Sequence, residues 1–311
     1  MTYQVTIYNS GHRFSVETGE SILEAALRQG IILPYGCRNG ACGSCMGKVM
    51  TGSVEYPDGT PGFLTPADVA QQKALFCQAQ PASDLLIKVR EVDAAKDIEV
   101  RTLPCRVNKI EHLAHDVIRM YLKLPDTERL QFLAGQYIDV LLKDHAPRAF
   151  SIANAPHDDG VIELHIRNVS GGYFSEQVFN QMQEKALLRF TGPLGTFFLR
   201  EDSDRPAILI GGGTGFAPLK GILEHAFHSG VQKPLHLFWG VRAKRDLYLE
   251  ELPAHWLQQH PNFSYTPVLS EPMAEDDWSG ATGYVSDTVI DKYPDLSGHD
   301  VYMSGPPVMV Q

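Results

Sequence analysis

The chain has 311 residues, 43% apolar and 21% charged, with a formal net charge of −10, the composition of an ordinary globular protein of two or three domains. Its apolar runs are too short to cross a bilayer, and its basic residues form no stripe suited to a phosphate backbone. Five cysteines are too few, and odd in number, for a disulfide framework. Membrane insertion and nucleic-acid binding are therefore not expected, and the cytoplasm is the expected compartment. Residues 1–90 hold seven Lys or Arg against seven Asp or Glu, so the whole acidic excess falls in residues 91–311.

The opening run "MTYQVTIYNSGHRFSV" alternates apolar and polar residues, as a strand does, and lacks the basic start and apolar centre of a leader. Ser21 with Glu24 three residues on forms a capping box that should open a helix running to Gln29. "LPYGCRNGACGSCMGKV" (33–49) follows, with Cys37, Cys42 and Cys45 in a C-x4-C-x2-C pattern, and Cys77 comes later in "ALFCQAQ". This is the plant-type spacing for a [2Fe–2S] cluster. Structural zinc sites instead pair C-x2-C with a second short pair, which is missing here. A cluster with four thiolates carries about two negative charges. Gly36, Gly40 and Gly43, with the small Ala41 and Ser44, let backbone N–H groups gather round it. Cys105, alone in "LPCRV", reads as a buried strand residue.

"REVDAAKDIEVR" (90–101) and "REDSDRP" (200–206) read as linkers, giving parts at 1–92, 99–200 and 205–311. The middle part is rich in strands: "CRVNKIEHL", "VIRMYLKL", "QYIDVLL", "AFSIAN" and "VIELHIRNV" suggest a small antiparallel barrel. In "RNVSGGYFSEQVF", Gly171 and Gly172 precede a helix expected near Ser175, a pattern suited to a diphosphate. "TGPLGTFFLR" (191–200) reads as a tight Gly-Pro turn ending the barrel. The last part alternates strands and helices, among them helices over about 217–229, 246–259 and 285–292, as a parallel α/β sheet requires. Its first turn, "ILIGGGTGFAPLKGIL", begins as a dinucleotide fingerprint with Gly211 and Gly213, but Phe216 stands where the third glycine belongs. It remains a phosphate-site candidate, against the plainer reading of a tight turn without a ligand. Arg242, Lys244 and Arg245 follow the second strand, as a site for a 2′-phosphate or as a solvated face. Hydrolase signatures are missing from the sequence.

Taken in order, these motifs resemble the ferredoxin–NADP reductase superfamily across all three parts. The resemblance implies a multidomain α+β and α/β protein: a β-grasp ferredoxin domain, an antiparallel β-barrel flavin domain and a parallel α/β nucleotide-binding domain. It puts Arg148 on the flavin diphosphate, with Phe150 stacked on the isoalloxazine and Ser151 near its N5, the last two forming the catalytic pair. Phe150 replaces the usual tyrosine and keeps the stacking without the hydroxyl. Gly171, Gly172 and Ser175 would meet the FAD diphosphate. Gly212, Gly213, Thr214, Gly215 and Pro218 match the GGGTGxxP turn that takes the pyridine nucleotide, and Arg242 would lie on its adenosine side. "MSGPPVM" resembles the CGPP motif near the nicotinamide, through Ser304, Gly305 and Pro306, with serine in place of cysteine. NADPH-specific members tend to have Ser-Arg where this chain has Ser270-Glu271; a carboxylate there repels a 2′-phosphate, so NADH is expected before NADPH. The domain order implies FAD, and the cysteine spacing makes Cys37, Cys42, Cys45 and Cys77 the expected [2Fe–2S] ligands. Electrons would pass from NADH to FAD, to the cluster, and on to a partner protein. "LPYGCRNGACGSC" and "TGFAPLKGILEHAF" resemble reductases of CDP-6-deoxyhexulose 3-dehydrase, and reductase components of aromatic-ring and other multicomponent oxygenases share the domain order. An iron–sulfur redox sensor or binding module is the alternative of another class. A monomer is expected, completed by a C-terminal helix and strand beyond Gln311.

Overall fold

The computed structural model describes residues 2–310, which divide into two compact units. The first comprises the chain up to Glu99 together with Gly195–Phe197, and the second comprises Val100–Leu194 with Phe198–Val310.

In the first unit, alternation produces a mixed five-stranded sheet in the order Arg13–Glu17, Thr2–Ile7, Leu85–Lys88, Met46–Thr51, Lys73–Leu75. Thr2–Ile7 and Leu85–Lys88 run parallel, and the other neighbours are antiparallel. Val5, Ile7, Phe14, Val16 and Ile87 are buried, under a helix Ile22–Arg28 that buries Ile22, Leu23, Ala25 and Ala26. The capping box starts that helix: Glu24 N donates to Ser21 Oγ at 3.2 Å, and Ser21 N donates to Glu24 Oε2 at 3.1 Å. This is the expected β-grasp arrangement. Thr196 belongs to the same unit, because its hydroxyl accepts from Tyr35 N at 2.8 Å and donates to Tyr35 O at 3.0 Å, holding the start of the cysteine loop.

The second unit begins with six antiparallel strands in the order His145–Ser151, Tyr137–Leu142, Leu187–Leu194, Arg101–Ala114, Val117–Lys123, Ile162–Arg167. A bridge between Ile152 and Leu164 joins the two outer strands and closes the barrel. Val107, Ile118, Met120, Ile138, Leu164 and Phe190 fill it, together with Phe174 and Val178 from the helix Tyr173–Asn180. The Gly-Pro segment departs from the sequence expectation. "TGPL" is the end of a strand, Leu187–Leu194, and not a turn. The register shifts between Tyr137 and Asp139, so Gly192 and Pro193 together face Ile138. At such a bulge no ladder N–H is required of proline.

The remainder forms a parallel sheet in the order Ala281–Thr282, Phe263–Leu269, Leu235–Val241, Ala207–Gly212, Asp300–Ser304. The chain starts at Ala207–Gly212, steps outward on one side, then returns to the other. That reversal opens a crevice at the carboxyl ends of Ala207–Gly212 and Asp300–Ser304. Helices Phe216–His228, Glu251–Gln259 and Val285–Lys292 connect the strands. The middle one starts later than the sequence suggests, because Asp246 Oδ2 accepts from Ala243 N at 3.0 Å and holds residues 243–246 in a separate turn. Among the described residues, no helix is long and apolar enough to cross a membrane.

A chain of buried polar groups joins the barrel to the helix Phe216–His228. Lys220 Nζ lies 3.1 Å from Glu163 Oε2, Glu163 Oε1 lies 2.8 Å from His165 Nε2, and His165 Nδ1 lies 3.0 Å from Tyr248 Oη. Burial lowers the His165 value, so the neutral ring donates to Glu163 and accepts from the Tyr248 hydroxyl. Burial pushes the Glu163 carboxyl up, but the His165 hydrogen bond and the Lys220 charge outweigh it and bring it down to about 2. Unfolded, that group titrates at 4.5, so its stabilisation is complete above that pH and is lost as pH falls from there towards 2. In urea unfolding at a series of pH values, Glu163→Gln is expected to remove about 3 kcal/mol of the pH dependence across that window. An acid limb identical to that of the wild type refutes this assignment.

Candidate functional site

The cysteine loop is wound tightly on itself. Arg38, Gly40 and Gly43 all have positive φ, at 61°, 79° and 70°, and a Cβ on Gly43 would collide with the Phe63 ring. The winding aims backbone donors at sulfur: Ala41 N lies 3.3 Å from Cys37 Sγ, and Cys37 N lies 3.4 Å from Cys42 Sγ. The thiols meet as two hydrogen-bonded pairs, Cys37 with Cys42 and Cys45 with Cys77. Within the first pair, the hydrogen bond from Cys37, helped by the Ser44 hydroxyl, brings Cys42 down to about 5, while that same bond and burial raise Cys37. In the second pair, Cys77 is lowered by its bond from Cys45, and Cys45 is raised. All five cysteines are free. Among the described residues, no three of the sulfurs lie within 4.8 Å of one another, whereas a single tetrahedral zinc gathers its four at about 3.8 Å. Two pairs of thiols make a donor set that suits a cluster of two irons. Cys45 and Cys77 are buried, Cys37 and Cys42 are half-buried, and Arg38, Asn39 and Ser44 are exposed beside them. Cys105 lies in the barrel core, where burial pushes its thiol to about 12.

The strand His145–Ser151 presents Arg148 to solvent, with Phe150 and Ser151 half-buried. The Arg148 guanidinium donates to nearby carbonyls, those of Ala146 at 2.9 Å and Pro147 at 3.2 Å. Two ring contacts hold this strand against the start of the helix Tyr173–Asn180: Phe150 on Phe174 at 5.4 Å, and His145 stacked on Tyr173 at 3.9 Å. Gly172 is the N-cap of that helix and Gly171 has a φ of 74°. The helix therefore starts before Ser175, whose buried hydroxyl faces the loop and bonds Val169 O at 3.2 Å and Gly172 O at 3.0 Å. The amide of Gly171 donates to Glu176 Oε1 at 2.8 Å.

At the crevice of the parallel sheet, Gly213–Gly215 make one tight turn before the helix. A Cβ on Gly215 would collide with Ser304 O, and one on Gly212 would stand 2.6 Å from Met309 Sδ and 3.0 Å from Pro306 Cδ. The turn thus presses directly on Ser304, Gly305 and Pro306. Thr214 is half-buried beside it, and Pro218 lies buried in the first helical turn. The departure from the fingerprint at Phe216 has a physical account. Its buried ring stacks on Trp239 at 4.1 Å, and Trp239 Nε1 donates to Gly213 O at 2.9 Å, so an aromatic pair fills the space that a third glycine would have closed. Arg242 and Glu271 are exposed on neighbouring strand ends, tied by Glu271 N donating to Arg242 O at 2.8 Å.

Sequence reasoning passed over Arg167, although it lies in the quoted run "RNVSGGYFSEQVF". Its Nη1 stands 2.7 Å from where a Cβ of Gly213 would be, and its Nε donates to Asp116 Oδ2 at 2.7 Å. Lys220 is the only cationic residue in "ILIGGGTGFAPLKGIL", and it is buried against Glu163. Arg167 is thus a cation presented to this turn from outside that run, and only the fold reveals it.

Residues 5–82 match the 2Fe-2S iron-sulfur cluster binding domain, residues 104–199 the oxidoreductase FAD-binding domain, and residues 209–311 the oxidoreductase NAD-binding domain. Over 310 residues the chain is 39% identical to the CDP-6-deoxy-L-threo-D-glycero-4-hexulose-3-dehydrase reductase of Yersinia pestis, covering 100% of this chain and 92% of that one. The chain belongs to the ferredoxin–NADP reductase superfamily. It is also 38% identical over 317 residues to the phenol hydroxylase P5 protein of Acinetobacter pittii, covering 100% of this chain and 88% of the relative. The crystal structure of the Amycolatopsis cytochrome P450 reductase GcoB matches it with a TM-score of 0.75 and 33% identity, over 99% of this chain and 92% of that one. This reductase is an NAD(P)H-dependent oxidoreductase that joins [2Fe–2S], FAD and NAD domains in one chain, carrying electrons from reduced nicotinamide through FAD to the cluster.

Gly215→Ala tests the nucleotide turn, since the new methyl group has to displace Ser304. FAD content should be unchanged while the KM for NADH rises at least about tenfold, equivalent to about 1.4 kcal/mol of binding. Unaltered NADH kinetics in a correctly folded variant contradict this reading of the turn.

Proposed function

We propose that this reductase uses NADH to supply single electrons to a separate acceptor protein, a CDP-6-deoxyhexulose 3-dehydrase in first place. The observation that carries the reading is the cysteine loop: two pairs of thiols, the Cys37–Cys42 pair half-buried beside exposed Arg38, Asn39 and Ser44. An electron leaving a cluster held there has a short route to a docked partner. The likeness to the Yersinia pestis reductase along all of this chain favours a dehydrase acceptor. The likeness to the phenol hydroxylase protein supports an oxygenase component as the second choice. Mixing the purified reductase and NADH with each candidate acceptor, and following acceptor turnover, separates the two.

When bound, the flavin accepts a hydride from the nicotinamide and the cluster accepts one electron at a time. The chain's own residues bind and orient. In this reading Cys37 and Cys42 hold one iron, Cys45 and Cys77 the other, and the backbone donors of the loop offset the sulfur charge. Arg148, Gly171, Gly172 at the helix N-cap and Ser175 in its first turn would meet the FAD diphosphate, Phe150 would offer a flat apolar face to its ring, and the Ser151 hydroxyl would bond the ring edge. The Gly212–Gly215 turn, with Thr214, Pro218 and Arg167, takes the nucleotide diphosphate, while Ser304, Gly305 and Pro306 flank the nicotinamide without a thiol. Arg242 lies towards the adenosine ribose, where the Glu271 carboxylate disfavours a 2′-phosphate. The reading keeps three functional parts, 1–92, 99–200 and 205–311, in a cytoplasmic monomer.

Cys45→Ser should lose most of the iron and acid-labile sulfide, about two of each per chain in the wild type, because serine is a harder and poorer ligand for iron. FAD should stay bound and ferricyanide reduction by NADH should persist, while cytochrome c reduction falls at least about tenfold. Equal survival of both activities removes the cluster from the electron path. For the nucleotide, the wild type should show the higher kcat/KM with NADH, and Glu271→Arg should shift the ratio towards NADPH by about tenfold. A wild-type preference for NADPH contradicts the assignment.

A further inference from the structure

Lys220 has no part in the binding roles above. On an ordinary amphipathic helix a lysine reaches water, yet this one is only 5% exposed. Its ammonium meets three oxygens: Glu163 Oε2 at 3.1 Å, Glu224 Oε2 at 3.0 Å and the carbonyl of Ala153 at 3.3 Å. All three of its N–H donors are thereby satisfied. A buried ion pair adds little net stability over a well-packed apolar pair, but its geometry is directional. Such a group suits the fixing of position better than the supply of stability.

Two of these acceptors, Glu163 and Ala153, sit on the barrel, while Glu224 lies one turn further along the same helix. Glu163 lies in the strand Ile162–Arg167, and Ala153 is two residues beyond Ser151, where the flavin strand ends. Beside Lys220, Gly221 brings the helix backbone down onto the same segment: a Cβ there would stand 2.9 Å from Asn154 O and 3.3 Å from Ile152 O. That segment is itself held firmly. Ile152 N donates to Gln136 O at 2.9 Å, Ala153 N donates to Glu163 O at 2.8 Å, and Asn154 Oδ1 accepts from Glu163 N at 2.8 Å. From Phe216 to Lys220 the helix advances only about 6 Å, so its anchored point lies close to the Gly213–Gly215 turn. The polar chain continues through His165 to Tyr248, whose ring meets the edge of Trp239 at 5.1 Å beneath that turn.

We propose that Lys220 is a positioning residue for hydride transfer: by seating the helix Phe216–His228 on residues 152–154, it sets where the nucleotide turn lies relative to Phe150 and Ser151. This rests on the assignment of nucleotide and flavin to those two places. Hydride transfer needs the nicotinamide and flavin rings in contact and aligned, and a displacement of about 1 Å costs on the order of a hundredfold in rate. Glu163, ionised throughout the neutral range, keeps the anchor charged.

The test is anaerobic stopped-flow reduction of the FAD-loaded protein by NADH, comparing wild type, Lys220→Met, Lys220→Arg and, as a destabilised control in the barrel core, Val107→Ala. Lys220→Met should lower the limiting rate of flavin reduction at least about tenfold, with the Kd for NADH changed less than about threefold. Its long-wavelength absorbance from stacked nicotinamide and flavin should weaken. Lys220→Arg should recover part of the rate, and Val107→Ala should keep all of it. In the protein without cofactors, hydrogen exchange in Lys220→Met should rise at residues 152–154 and 216–224 and not in the other barrel strands. A Lys220→Met protein with the wild-type limiting rate and absorbance overturns the proposal. If that variant does not fold, a full wild-type rate in Lys220→Arg, whose nitrogens sit elsewhere, overturns it equally. Wild-type protein that NADH does not reduce brings down the underlying site assignment instead.

Discussion

Two backbones meeting without side chains between them are what the nucleotide crevice depends on. The turn Gly213–Gly215 presses against Ser304 and Gly305 so closely that a methyl group on Gly215 has no room. That approach is possible because the strand order reverses at Ala207–Gly212, leaving the ends of two parallel strands side by side. Beneath the contact, Phe216 and Trp239 support the turn from the sheet side. Sequence, topology and packing converge on one point, and the glycines belong there because any other residue would hold the two backbones apart.

The same economy governs charge. The protein carries a net charge of −10, yet its cofactors are themselves anionic. In the proposed sites that charge would be met less by surface cations than by oriented backbone donors: amides around Cys37 and Cys42, and helix starts at Gly172 and Gly215. Where a side-chain cation does appear at the nucleotide turn, it is held in place. Arg167 is fixed by Asp116, and its orientation is settled before any ligand arrives.

The parts of this architecture that were legible in the sequence are those in which chemistry imposes local spacing. The C-x4-C-x2-C spacing of Cys37, Cys42 and Cys45 lies within one loop of the matched iron–sulfur domain, and the alternation of strands and helices after Ala207 follows from burial on both sheet faces. The illegible parts depend on partners distant in the chain. The strand Leu187–Leu194 hid behind a Gly-Pro pair that is harmless only because the bulge at Ile138 faces it. Phe216 breaks the glycine motif because Trp239, 23 residues on, stacks beneath it. Arg167 and Lys220 are unremarkable letters in their own segments; their burial and their neighbours exist only once the barrel and the nucleotide sheet have packed together.

The sheet order also bears on how the molecule is assembled. The strand Asp300–Ser304 flanks Ala207–Gly212 on one side, but it is made only after every other strand of that sheet. During synthesis, Ala207–Gly212 can pair with Leu235–Val241 while its second edge stays bare, and a bare edge is a place where foreign strands attach. The barrel has no such wait, since all six of its strands have already emerged from the ribosome. Those six strands precede the nucleotide sheet in the chain, so the barrel can close while the edge of Ala207–Gly212 still waits for Asp300–Ser304.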